Sequence, residues 1–96
     1  MRLRIHPGAS AEIRKEALYY EQQAPGLGTD FLQEIDNSVE RIAAHPEQFP
    51  ASDPNLKKCV LERFPFSILF REKPGLVEIL VVRHDARHPS YGHERL

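Results

Sequence analysis

Tryptophan is absent from these 96 residues, and cysteine and methionine occur once each. A single Cys59 can close no internal disulfide and has no cysteine partner for a zinc site, which suits a reducing compartment. Between Lys58 and Val60, in a strand pattern, it reads as a small core hydrophobe. No apolar run approaches membrane-spanning length, and Met1-Arg2-Leu3-Arg4-Ile5-His6-Pro7 lacks the continuous apolar region of a signal peptide. A soluble cytoplasmic protein with no membrane partner is therefore expected. A charge excess is lacking too: 13 Lys and Arg stand against 14 Asp and Glu, for a net charge of −1 and a pI near 6.5. Taken alone, that balance argues against a dedicated nucleic-acid binder. The chain carries no glycine-rich phosphate loop, nucleophile motif or zinc spacing, so hydrolase, nucleotide-binding and redox classes drop out and no cofactor is expected.

What the sequence does contain is enough for one domain over residues 1–96, with 41% hydrophobic residues and room for one core. Leu3 and Ile5 alternate with Arg2, Arg4 and His6, a short strand at or near a sheet edge that Pro7-Gly8 stops. Ser10 then offers an N-cap, and Ile13, Ala17, Tyr20 and Ala24 recur at helical spacing until Pro25-Gly26. A second helix opens between Leu27 and Asp30, with Phe31, Ile35, Val39 and Ile42 as its apolar stripe, and Pro46 closes it. The short connection makes the two helices antiparallel. From His45 to Asn55 three prolines mark an ordered crossing loop anchored by Phe49. Three strand-like runs follow, Lys57 to Glu62, Phe64 to Arg71 and Leu76 to Val82. The second has Phe64, Phe66, Ile68 and Phe70 on one face, and the third is apolar on both faces apart from Glu78, as in a strand covered on each side. The expected fold is α+β: an N-terminal strand and an antiparallel helical hairpin packed on a mainly antiparallel sheet of about four strands.

Charge and chemistry gather late in the chain. Residues 1–56 carry five Lys and Arg against nine Asp and Glu, whereas residues 57–96 carry eight against five. Within 82–95, at the end of an apolar strand, stand three His, three Arg and a Tyr. Such groups can hold an anion, move protons near neutral pH and stack on a base. A metal site from His84, His88, His93 and Asp85 is disfavoured, because Pro89 and the preceding strand forbid the helical spacing that brings an i, i+4 histidine pair together.

Tyr19-Tyr20-Glu21 with Pro25-Gly26-Leu27-Gly28, Phe31-Leu32, Ile42, Pro46 with Phe49-Pro50, Arg63-Phe64-Pro65-Phe66 with Ile68, and His84 with Arg87, Pro89-Ser90-Tyr91 and Arg95 together resemble the RelE/ParE family of bacterial type II toxins. The resemblance runs from the first helix nearly to the last residue. It implies a growth-inhibiting toxin neutralised by a cognate antitoxin that wraps around it, with operator DNA bound only through the complex. ParE-like members poison DNA gyrase; RelE-like members cut messenger RNA in the ribosome without a metal. The pattern around Arg63 and after His84 is closer to the ParE-like and plasmid-stabilisation branch. Ser67 stands where RelE-like nucleases carry an Arg, and Gly92 where many relatives have Trp.

A metal-free ribonuclease needs a base, cations for the phosphate and an acid. On that alternative the catalytic candidates are His84, Arg87, Tyr91 and one of Lys57 or Lys58, if that strand end lies near the 84–95 segment. Arg63, Arg83, His88 and Arg95 are the expected binding residues, Arg83 beside Arg87 on a phosphate and His88 as a second proton carrier. Each has a structural alternative: Arg87 bonding carbonyls or Asp85, Tyr91 packing on the sheet edge, His84 satisfying a backbone group, and the lysines guarding a strand edge. A degenerate member that binds antitoxin without toxicity is the third functional alternative.

Overall fold

A computed structural model describes residues 2–53 and 55–96. The chain runs β1 (Arg2–Ile5), α1 (Pro7–Gln23), α2 (Leu27–Ala44), a 3-10 turn (Pro46–Gln48), β2 (Ala51–Asp53), β3 (Leu56–Val60), β4 (Phe66–Lys73), β5 (Leu76–His84) and a second 3-10 turn (His93–Arg95). The five strands form one sheet in the order β1-β5-β4-β3-β2, antiparallel except where β1 runs parallel to β5. The expected α+β layering is present, with one strand more than the sequence suggested. That strand, β2, lies inside the 45–55 crossing segment. It is made a strand by pairing with β3, Ala51 opposite Lys57, and not by any alternation of its own.

Pro7 does not end β1 so much as begin α1. It occupies the first helical position, where a fixed φ is pre-organised and the missing N–H costs nothing. His6 is the N-cap, its Nδ1 accepting from the Gly8 amide at 2.9 Å. Ser10 is therefore not the cap; it lies one turn inside, its amide bonded to the His6 carbonyl. At the other end Ala24 lies beyond the last helical residue and is exposed. The hairpin turn explains why Glu21 and the glycines travel together. Gly26 takes a left-handed φ of 88°, and α2 has no side-chain cap of its own. Instead the Glu21 carboxylate accepts from the amides of Gly26 at 3.0 Å and Gly28 at 3.0 Å, neutralising two orphan N–H groups. A side chain at Gly28 would collide with the Ala17 carbonyl, so the two helices touch backbone to backbone there.

The inner face of the sheet meets the helices. Phe31, Ile35 and Ile42 from α2, with Ile13, Ala17 and Tyr20 from α1, pack on Cys59, Phe66, Ile68, Phe70, Val77, Ile79 and Val82. Phe49 anchors the crossing segment edge-on against Phe70. Phe64 joins the same aromatic cluster although β4 starts only at Phe66, because the bend at 62–65 swings its ring between Tyr20 and Phe31. The bend is held by Glu34 of α2, whose carboxylate accepts from the amides of Glu62 and Arg63. Burying each such ring or aliphatic chain contributes roughly 1.5–3 kcal/mol.

β5 is buried along nearly its whole length, as its two-faced apolar pattern predicts. A bulge at Leu80 shifts the register from Phe70 opposite Ile79 to Leu69 opposite Val81. Leu80 and Val81 consequently both reach the outer face, where they pack with Leu56, Leu69 and Tyr91. Further along the same face Glu78, 5% exposed, takes Arg71 at 2.8 Å, Lys73 at 3.2 Å and Arg4 at 3.3 Å.

Candidate functional site

β1 is shorter than the strand it pairs with. Its ladder ends at Ile5 opposite Ile79, closed by the His6 amide on the Ile79 carbonyl, and the chain then turns away into α1. Past that point the β1-facing edge of β5 has lost its neighbour, and side chains take its place. Glu12 of α1 accepts from the Val82 amide at 2.9 Å, and Arg95 donates to the Leu80 carbonyl at 3.0 Å. The two are bound to each other in a two-pronged pair at 2.8 and 3.0 Å, with side chains only 12% and 13% exposed. Tyr91 completes the group by donating its hydroxyl to Glu12 at 2.5 Å. On the outer face Arg83, 8% exposed, donates to the carbonyls of Pro89 at 2.6 Å and Tyr91 at 3.2 Å. Residues 85–96 are thus fastened around the strand edge by polar bonds. Gly92 turns there with φ 86°, so close over Val81 that an added Cβ would collide with it, and a Trp at this position would have no room.

Between α1 and this segment lies a cleft of about 370 Å³, lined by Glu12, Lys15 and Glu16 on one wall and by Phe66, Val82, Arg83, His84, Arg87 and Tyr91 on the other. His84 stands on the last residue of β5, its ring edge-on to Phe66 with centroids 5.2 Å apart. Its Nδ1 accepts from the Ala86 amide at 2.9 Å, which leaves Nε2 to carry the proton of the neutral ring. Arg87 is exposed and lies over the Tyr91 ring at 4.9 Å. The hydrogen bond to Glu12, with burial second, pushes the Tyr91 hydroxyl above its ordinary range, and the same carboxylate raises Arg95 further. Tyr91 is therefore held as a neutral phenol whose proton is already committed.

The structure brings His84, Arg83, Arg87, Tyr91 and Arg95 together and leaves the other candidates elsewhere. Lys57 pairs with Phe70, whereas the cleft begins at Phe66 opposite His84, four residues or about 13 Å along the sheet. The strand end carrying the lysines does not lie near the 84–95 segment: Lys57 bonds Glu72 at 2.8 Å and the Pro46 carbonyl, and Lys58, on the opposite face, pairs with Leu69. Arg63 lies beside a second, polar groove along α2, bonded to Asp30 and over the Phe64 ring. His88 is exposed and folded back on Ser90. Asp85 does not hold Arg87; it takes the Ser67 hydroxyl at 2.6 Å, with Ser67 itself buried. Among the described residues no three His, Cys, Asp or Glu side chains gather as a metal set, and no helix is long and apolar enough to cross a membrane. Cys59 is buried, and burial pushes its thiol up.

Glu12 is the residue that sequence reading missed. One turn of α1 places it beside the apolar stripe and not on it, and its partners lie 70 to 83 positions away. The only signal was an acidic group flanking a helix's buried face.

Known proteins match the chain over most of its length. Toxin ParE2 of Mycobacterium tuberculosis, in strains CDC 1551 / Oshkosh and ATCC 25618 / H37Rv, is 26% identical over 90 residues, which cover 93% of this chain and 86% of the relative. A solved structure described as "Chromosomal ParDE TA system from P. aeruginosa" superposes with a TM-score of 0.78 at 26% identity, over 88% of this chain and 95% of that one. The profile described as "ParE toxin of type II toxin-antitoxin system, parDE" matches residues 3–89. The chain belongs to the ParE family, the toxin component of type II toxin–antitoxin systems, whose partner is a cognate antitoxin.

Proposed function

We propose that this toxin acts by binding, as a ParE-like inhibitor of DNA gyrase in the cytoplasm, and that the exposed part of the 84–95 segment with the α1 cleft is its contact surface. The observation that carries this reading is the occupation of the groups a ribonuclease would use. Tyr91 is held neutral by Glu12, Arg83 and Arg95 bond within the chain, and Lys57 and Lys58 lie away from the cleft. What remains open to a partner at the cleft is Arg87, His84, Lys15 and Glu16, a charged recognition surface from which Tyr91, Lys57 and Lys58 are withdrawn. For the antitoxin, exposed Leu18 and Tyr19 on α1 and the outer edge of β1 suit a helix and an added strand. Operator DNA is reached only through that complex.

The alternative, a ribosome-dependent messenger ribonuclease, draws on His84 and Arg87 sharing one cleft. Induction without antitoxin, with pulse labelling of protein and DNA over the first minutes, separates the two. Loss of DNA synthesis with translation spared, abolished by Arg87→Ala, is the expected result. Early loss of translation with message cleavage would replace gyrase by the ribosome, and no growth defect at all would identify a non-toxic antitoxin binder.

A further inference from the structure

We propose that Glu12 is a positioning residue for the toxin's acting surface: by standing in for the strand that β5 lacks beyond Ile79, it latches residues 85–96 and so fixes Arg87 against the cleft. The inference rests on the reading of that segment as the contact surface.

One carboxylate does three things at once. Oε1 takes the Val82 amide, the first ladder donor that β1 leaves unpaired. Both oxygens take Arg95, whose guanidinium in turn satisfies the Leu80 carbonyl on the same edge. Oε2 also takes the Tyr91 hydroxyl, and the ring so anchored is the platform on which Arg87 lies. Arg83 grips the carbonyls of Pro89 and Tyr91 from the opposite face, so the segment is held at its middle and at its far end. The α1 side has been shaped to admit this. The Arg95 guanidinium crosses directly over Gly8, where a Cβ would stand 2.6 Å from its central carbon. Charge-assisted bonds in a mostly enclosed setting are the strong kind, and losing one member leaves the others desolvated and unpaired. The apolar cover over the segment is by contrast thin, Tyr91 being, among the described residues, the single aromatic packed on the outer cluster. Release of Glu12 should therefore loosen residues 85–96 while the helix-covered core stays closed.

The test uses the full chain with Glu12→Ala, Glu12→Gln and Arg87→Ala. Three readouts apply: amide exchange by residue segment, antitoxin affinity, and growth inhibition on induction. Glu12→Ala is expected to speed exchange at Val82 and across 85–96 by about tenfold or more, leave exchange in α2 and β4 and antitoxin affinity unchanged, and lose growth inhibition. Glu12→Gln keeps one acceptor oxygen and the side-chain length, and should fall between on both exchange and toxicity. Arg87→Ala should lose growth inhibition with exchange unchanged. Two results would overturn the proposal: Glu12→Ala at full toxicity, or uniform loosening of the whole chain in both Glu12 variants together with lost antitoxin binding. If Arg87→Ala stays toxic, the contact-surface reading fails by itself, and the exchange data still decide whether Glu12 holds the segment.

Discussion

On the inner face of the sheet, Tyr20, Phe31, Phe64 and Phe66 pack ring against ring under two helices. On the outer face, four buried aliphatic side chains are covered at one end by Tyr91 and a latch of hydrogen bonds, and flanked at the other by Glu78 with its three cations. The first closure is made of contact area, which is non-directional and shared among many partners. The second is made of a few directional bonds, each depending on one group. A protein built this way should feel damage to its core everywhere and damage to residues 85–96 locally.

The contrast can be broken most forcefully from the inner side. Phe31→Ala removes a fully buried ring at the centre of the aromatic cluster and should cost about 3–5 kcal/mol, seen as a lowered urea midpoint with exchange raised throughout the chain. Gly92→Ala strikes the outer side. It forces a side chain into φ 86° and against Val81, and should cost about 1–3 kcal/mol. In a segment-resolved exchange experiment the loss should be concentrated in 85–96, and a uniform response would erase the distinction between the faces.

Acid titration gives a gentler test. The hydrogen bond from Arg71, reinforced by Lys73 and opposed by burial, holds Glu78 below its ordinary value of 4.5. A carboxylate lowered in the folded state binds fewer protons than the unfolded chain does, so its contribution is full above that ordinary value and is lost as pH falls through the folded one. Denaturation midpoints recorded from pH 6 downward should therefore drop below about pH 4.5. Glu78→Gln, lower in stability by about 1 kcal/mol at pH 7, should show a shallower drop.

Most of the layering could be read in the sequence because it is periodic. Phe31, Ile35 and Ile42 announce a buried helix face, and Phe66, Ile68 and Phe70 a buried strand face, by spacing alone. What escaped detection is whatever depends on pairing with another segment and leaves no periodicity of its own. Ala51–Asp53 is a strand only because β3 lies beside it, and Leu80 reaches the outer face only because of a bulge. The site shows the same division. His84, Arg87 and Tyr91 stand out as chemistry at a strand end, but nothing near Glu12 reveals that Arg95 will meet it, and nothing in Lys57 reveals that Glu72 will hold it far from the cleft. Pro7 read only as a strand stop, and the cap bond from Gly8 to His6 shows that the same residues also start the helix, three positions before Ser10.

The parallel pairing of β1 with β5 ties Arg2 to Leu76 and Leu3 to Val77, and the latch ties residue 12 to residue 95. The helical hairpin and the β3-β4-β5 meander join neighbouring segments, whereas the contact of Glu12 with Arg95 spans 83 positions and is therefore expected to form late in folding. A chain wired in this order closes its helix-covered core before residues 85–96, so refolding followed by segment-resolved exchange should show protection in β4 ahead of protection in 85–96.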